Sequence, residues 1–152
     1  METTAGRAVP AVAPASETAI GQADLAPVAS AAPDLALRAE RELASQARVA
    51  RHDPLLEQEA VDPNWAPATI ERIKTAFDDA GIWGSRLTDM DCRASRCRIT
   101  VRHDSESAGL EFQRSFPLRL GSVLQRAVMS HFALEDGTAR SIMHLSRESV
   151  RR

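Results

Sequence analysis

Two cysteines, four histidines and a cluster of arginines are the side chains of this 152-residue chain with the widest chemical range. The cysteines stand in "DCRASRCRIT" as Cys92 and Cys97, with four residues between them. Three chemistries fit such a pair: a disulfide across a turn, two reduced thiols in a core, or part of a metal or redox site. A thioredoxin-like motif has two intervening residues and opens a helix. A zinc site asks for about four ligands, and apart from nearby His103 no second Cys pair or His-x3-His is present. The histidines are His52, His103, His131 and His144, and Ser130, Ser141 and Ser146 stand near the last two. A nucleophile needs a base within reach and a group to orient that base. No Gly-x-Ser-x-Gly, His-Glu-x-x-His or phosphate-loop pattern announces one. The expectation is a chain that is not an enzyme and takes no cofactor and no metal.

Arg86, Arg93, Arg96, Arg98 and Arg102 crowd the cysteines, and Arg151 and Arg152 close the chain. Of these, Arg93, Arg96 and Arg98 form a candidate anionic-ligand patch, since clustered cations are the footprint of phosphate binding. Against a nucleic-acid partner stand the absence of tyrosine, an aromatic content of 4%, and a divided charge. Residues 1–85 hold 7 basic and 13 acidic side chains, net −6, whereas residues 86–152 hold 12 and 8, net +4. Solvated arginines that discourage edge-to-edge strand pairing are the plainer reading.

The elements that must position these groups follow from periodicity. Residues 1–34 are mostly Ala, Pro, Val, Thr, Ser and Gly without an aromatic residue, which predicts a disordered tether. Residues 35–58 read as a charged, partly helical connector, with Asp34 as N-cap and a narrow stripe of Leu35, Ala39, Leu43 and Ala47. A helix then starts at Asp62 and Asn64 with Pro67 in its first turn. It presents Ala66, Ile70, Ile73, Phe77 and Ala80 on one face and stops at Gly81. Trp65 and Trp83 bracket it as core edges or staples.

The alternation of "RLTDMD" and "CRITVRH" predicts a hairpin in which Cys92 faces Cys97 across a four-residue loop. That register pairs Met90 with Ile99 and Thr88 with Val101 on one face, and Asp91 with Arg98 and Asp89 with Thr100 on the other. It also brings the two Cα atoms to about 4.5–5.5 Å, within disulfide reach. A second helix is capped by Asp104 or Ser105, carries Ala108, Phe112 and Phe116, and ends at Pro117; "PLRLGSVLQR" reads as a loop leading into a strand. Asp136-Gly137 predicts a two-residue type I′ hairpin. Its register pairs Leu134 with Ala139, Phe132 with Ser141, Ser130 with Met143 and Val128 with Leu145. Met129, His131, Ile142 and His144 then share an outward face, a candidate partner surface. Residues 59–150 are expected to form a two-layer α+β domain: a small antiparallel sheet of two hairpins against two helices, in the order α-β-β-α-β-β.

"DPNWAPATIERI" followed by "MDCRASRCRITVRHD" resembles a group of small exported proteins of Gram-negative bacteria. These carry an Asp-Pro-x-Trp helix start and a strand–Cys-x4-Cys–strand unit behind an Ala/Pro-rich tether. The match spans about residues 59–104. It implies periplasmic export and a structural disulfide, and no catalytic residue comes with it. A looser likeness is to the disulfide-bearing pilotins of type II secretion, from which this chain departs by lacking their lipobox cysteine.

The chain has no run of about 18 or more apolar residues, so nothing in it reads as a transmembrane segment. Its start lacks the basic and apolar regions of a signal peptide, so export requires a leader or anchor upstream of Met1. The expected function is a non-catalytic envelope adaptor or binding module, periplasmic, acting on another envelope protein. The alternative is a cytoplasmic arginine-patch nucleic-acid binder with reduced thiols, and an enzyme of unrecognised type stands third.

Overall fold

The computed structural model describes residues 31–121 and 124–147. Its elements are α1 (Ala31–Glu57), α2 (Trp65–Ala80), β1 (Ser85–Cys92), β2 (Arg96–His103), α3 (Glu106–Leu120), β3 (Arg126–Ala133) and β4 (Ala139–Ser146). The four strands form one antiparallel sheet in the order β1-β2-β4-β3. The fold is α+β, as expected, with a third helix added to the two predicted.

Alternation along the central strands sets the core. Cys97, Ile99 and Val101 on β2 and Met143 and Leu145 on β4 face one side of the sheet. There they meet Ala66 and Ile73 of α2 and Phe112, Phe116 and Leu120 of α3, all buried. The cap of α2 is Asp62, whose Oδ1 accepts from the N–H groups of Asn64 at 2.9 Å and Trp65 at 3.0 Å. Asn64 itself makes no side-chain cap bond. Gly81 closes the helix at φ 58° with its N–H bonded to the Asp78 carbonyl. Trp65 packs at the core edge under the guanidinium of Arg147, 4.6 Å above its ring. Trp83 does not: it is 93% exposed, contrary to its expected role as a staple.

The first hairpin keeps the expected register from Cys92↔Cys97 through Asp89↔Thr100. It then departs from it. A bulge at Thr88 brings Leu87, not Thr88, opposite Val101. The extra residue turns Leu87 inward against the core and sets Ser85 opposite His103. Continuing the alternation would have left that leucine in water.

The second hairpin corrects the sequence reading by one residue. Its pairs are Ala133↔Ala139, His131↔Ser141, Met129↔Met143 and Ala127↔Leu145. The connection is a three-residue loop, not a type I′ turn. Gly137 donates to the Leu134 carbonyl at 3.2 Å and Leu134 donates to the Thr138 carbonyl at 2.9 Å, with Gly137 at φ 83°. Asp136 Oδ1 accepts from both the N–H and the hydroxyl of Thr138, which fixes this geometry. Helix α3 starts as expected, with Ser105 Oγ accepting from Ala108 N–H. It continues through Pro117 for one more turn, which buries Leu120, and ends at Gly121 with φ 56°.

Helix α1 is the largest correction. The expected connector 35–58 is, through Glu57, part of one helix that docks on the sheet. Ser45 is buried and its Oγ accepts from the backbone N–H of His131 on edge strand β3 at 3.3 Å. Leu56 is 1% exposed. The face turned inward is mostly polar: Glu42, Ser45, Arg48, Val49, His52, Asp53 and Leu56 recur at spacings of three and four. The predicted apolar stripe of Leu35, Ala39, Leu43 and Ala47 faces solvent. Of the tether expected over residues 1–34, residues 1–30 lie outside the described residues, and residues 31–34 already belong to α1.

Candidate functional site

The cysteines form a disulfide, Cys92–Cys97, 4% and 0% exposed within the core. It pins the first hairpin and leaves no free thiol. Among the described residues no group of three or more His, Cys, Asp or Glu is placed to hold a metal ion, and no helix is long and apolar enough to cross a membrane.

The three patch arginines are each already matched to a carboxylate. Arg93 makes a two-point contact with Asp91 at 2.7 and 2.9 Å. Arg96 meets Glu59 at 2.7 Å, and Glu59 also accepts from the N–H and hydroxyl of Ser95 at 2.7 and 2.6 Å. Burial opposes the Glu59 charge, but the Ser95 hydrogen bonds and Arg96 hold its carboxyl below the ordinary range. Arg98 bridges Asp53 at 3.2 Å and Asp89 at 3.8 Å. This is a set of internal ion pairs around the hairpin turn, with β1, α1 and the α1–α2 link supplying the acids.

The four residues expected to share an outward face are divided by the register. Met129 and His131 pair with Met143 and Ser141 on the α3 side of the sheet. His144 and Ile142 point to the other side, where His144 Nε2 bonds Asp53 Oδ1 at 2.7 Å and stacks on His52 with ring centroids 5.2 Å apart. The shared patch of Met129, His131, Ile142 and His144 does not exist as a surface. Burial and the neighbouring His144 and arginines lower the His52 pKa against the pull of Asp53. Asp53 is held below the usual carboxylate range: burial resists this, but the His144 and Arg98 hydrogen bonds prevail.

On the α3 side, serines and histidines join in one buried chain. Ser85 Oγ lies 2.7 Å from His103 Nδ1, His103 Nε2 lies 2.9 Å from Ser141 Oγ, and Ser141 Oγ lies 3.1 Å from His131 Nδ1. The chain crosses the whole sheet, from β1 through β2 and β4 to β3. Burial, followed by the neighbouring His131, lowers the His103 pKa to about 4, so at neutral pH its imidazole is uncharged. His131 is lowered too, by burial, against the carboxylates of Glu106 and Glu42. In one sense of the chain Ser85 donates to His103, His103 to Ser141 and Ser141 to His131. That sense leaves an N–H on His131 Nε2, an atom that is buried without a partner.

A serine beside a histidine suggests acyl chemistry, but access decides against it here. Ser141 is 0% and His103 2% exposed, so no substrate carbonyl can reach that oxygen. The chain opens only at His131, which lines a cleft of about 720 Å³ between α1 and α3. Its walls are α1 (Arg38, Arg41, Glu42, Ser45, Arg48) and α3 (Glu106, Leu110, Gln113), and the β3–β4 turn closes one end at Leu134 and Glu135. Glu106 is matched to Arg38 at 2.8 Å and Glu42 accepts from Gln46 at 3.1 Å. Among the described residues Arg41 and Arg48 enter no ion pair, and Arg48 Nε is buried without a partner while its Nη2 donates to Ser45.

Of the cleft residues, sequence reading singled out only His131. Arg41, Ser45 and Arg48 were legible in principle, because the polar stripe of α1 is as periodic as its apolar one. Gly109, inside α3, is the other missed residue. A Cβ there would fall 2.5 Å from His131 Cε1 and 3.2 Å from His103 Cδ2, so only glycine lets α3 close over both rings. No family model, curated protein or solved structure was found to match this chain.

Proposed function

We propose that this protein is a non-catalytic binding module of the bacterial envelope, an adaptor that takes an acidic segment of another protein into the α1–α3 cleft. The observation that carries this reading is the pair of guanidinium groups, Arg41 and Arg48, which enter no ion pair among the described residues and line an open cleft where Glu106 is matched to Arg38 and Glu42 to Gln46. An Arg without a partner at a half-dry surface presents several fixed donors, a good match for a carboxylate. Leu110, Ala133 and Leu134 add an apolar wall for the flanking side chains.

A periplasmic location is the compartment that suits the disulfide, because such bonds persist in oxidising surroundings. The sealing of the Ser–His chain supports the non-catalytic part of the reading, and the internal pairing of Arg93, Arg96 and Arg98 weakens the nucleic-acid alternative.

The test is selection from a displayed random-peptide library against the oxidised protein. Selected peptides are expected to carry Asp or Glu, to lose at least tenfold in affinity when that residue becomes Asn or Gln, and to lose as much against Arg41→Ala or Arg48→Ala. Peptides that bind the double Arg variant as well as the parent would overturn the reading.

A further inference from the structure

We propose that the outward stripe of α1 is a homodimer surface, and that two copies pair through it antiparallel about a two-fold axis near residue 45. Helix α1 is docked by its polar side, so its apolar side faces water: Leu35 is 64% and Leu43 65% exposed, and Ala36, Ala39, Ala47 and Ala50 beside them are exposed as well. Among the described residues nothing covers these leucines. A second helix can.

The occupant follows from the match of this face to itself. Leucine and alanine alternate at four-residue steps, Leu35, Ala39, Leu43 and Ala47. Set two such stripes antiparallel so that residue 43 of one copy faces residue 47 of the other, and each Leu43 enters the gap left by an Ala47. This is a large-into-small fit that lets the helices approach closely. The same register brings Glu40 of each copy alongside Arg51 of the other. Both are exposed, lie on one flank of the stripe, and enter no ion pair among the described residues. Like flanks meet when helices run antiparallel, so two Glu40–Arg51 pairs form, one on each side of the axis. A parallel arrangement would set Leu43 on Leu43 and Glu40 beside Glu40, losing both matches. The axis falls beside the midpoint of the 27-residue helix, so nearly its full length overlaps in a closed, isologous contact.

The cleft shares only Ala39 with this stripe and is otherwise lined by other residues of α1, so each protomer keeps its own, and the pair would offer two clefts to a partner with repeated sites. The inference stands apart from the cleft reading, because peptide binding can be measured on a monomeric variant.

Sedimentation equilibrium of the full, oxidised chain tests it. The parent is expected to sediment as a dimer, and Leu43→Glu as a monomer that keeps the folded circular dichroism spectrum, since Leu43 touches no core. Glu40→Arg and Arg51→Glu should each weaken the dimer at least tenfold by setting like charges together, and the double exchange Glu40→Arg/Arg51→Glu should restore it. A parent that stays monomeric to its solubility limit, a dimer untouched by Leu43→Glu, or a double exchange no better than the singles would overturn the proposal.

Discussion

Gly109 of α3 sits directly on the imidazole of His131, so that a methyl group in place of its hydrogen would lie 2.5 Å from ring atom Cε1. His131 cannot withdraw without breaking its 3.1 Å bond to Ser141. In an ordinary helix interior Gly→Ala stabilises by about 1 kcal/mol. Here overpacking against a held ring costs about 1–3 kcal/mol. Gly109→Ala is therefore expected to lower stability in urea titrations, and a gain would show that the ring moves aside freely.

The buried Ser–His chain gives the fold an acid-sensitive seam. His103, its pKa lowered to about 4, binds a proton in the unfolded chain before it does in the folded one. Its contribution is present in full above about pH 6.5, the unfolded value, and is lost as pH falls toward 4. The span amounts to ~3 kcal/mol, and His131, lowered by burial, acts in the same direction. Urea unfolding measured from pH 7 to 4 should show this fall. His103→Gln keeps a polar group near Ser141 and should flatten the slope by close to one proton; an unchanged slope would assign the effect elsewhere.

Asp53 ties the end of α1 to two strands at once, through His144 on β4 and Arg98 on β2. Asp53→Ala leaves both partners half-buried without their shared acceptor, at a cost of about 1–3 kcal/mol. Because α1 docks through polar contacts more than apolar ones, the loss should be local. Hydrogen exchange is expected to quicken at α1 amides from Arg48 to Glu57 and to stay slow at β2 and β4. Uniform quickening would mean that α1 and the sheet open as one unit.

Removing the Cys92–Cys97 bond by a double Cys→Ser change should cost about 2 kcal/mol, the chain-entropy value for so short a loop. The fold should survive, since the core around it is held by α2 and α3. Loss of cooperative unfolding in the double variant would give the bond a larger share of the fold than that.

Ion pairing at the first hairpin predicts weak nucleic-acid binding. Arg93, Arg96 and Arg98 would each have to leave a carboxylate before meeting a phosphate. Oligonucleotide affinity at physiological salt is expected to be negligible, and Arg96→Ala to reduce thermal stability by freeing Glu59. Steeply salt-dependent binding that vanishes in Arg93→Ala/Arg96→Ala/Arg98→Ala would reverse this view.

The first hairpin was legible because three signals agreed on one register: the cysteine pair, the Asp91–Arg98 charges and the inward Met90–Ile99 pair. The second was not, because β3 is covered on both faces. Ser130 and Phe132 are buried on one side, and Met129 and His131 are half-buried on the other. A strand without polar alternation does not reveal a one-residue slip, and that slip moved His131 from an expected outer surface to the end of a buried hydrogen-bonded chain. Helix α1 misled for a related reason. Periodicity located the helix, but its narrow, mostly alanine stripe read as part of a charged connector, and the polar face that docks on the sheet carried no apolar signal. Cap residues were the most legible feature, since Asp62 and Ser105 act through their nearest neighbours alone.

The unequal fates of the two tryptophans make the protein its own optical reference. Trp65, wedged between the core and the Arg147 guanidinium, should emit differently once those neighbours leave, whereas Trp83, 93% exposed, already sees the solvent it would see in an unfolded chain. Iodide should quench the red edge of the emission, from Trp83, in the native state and leave the blue edge nearly untouched. Heating should then carry only the blue component across, so that one spectrum reports both the sample's concentration and its folded fraction.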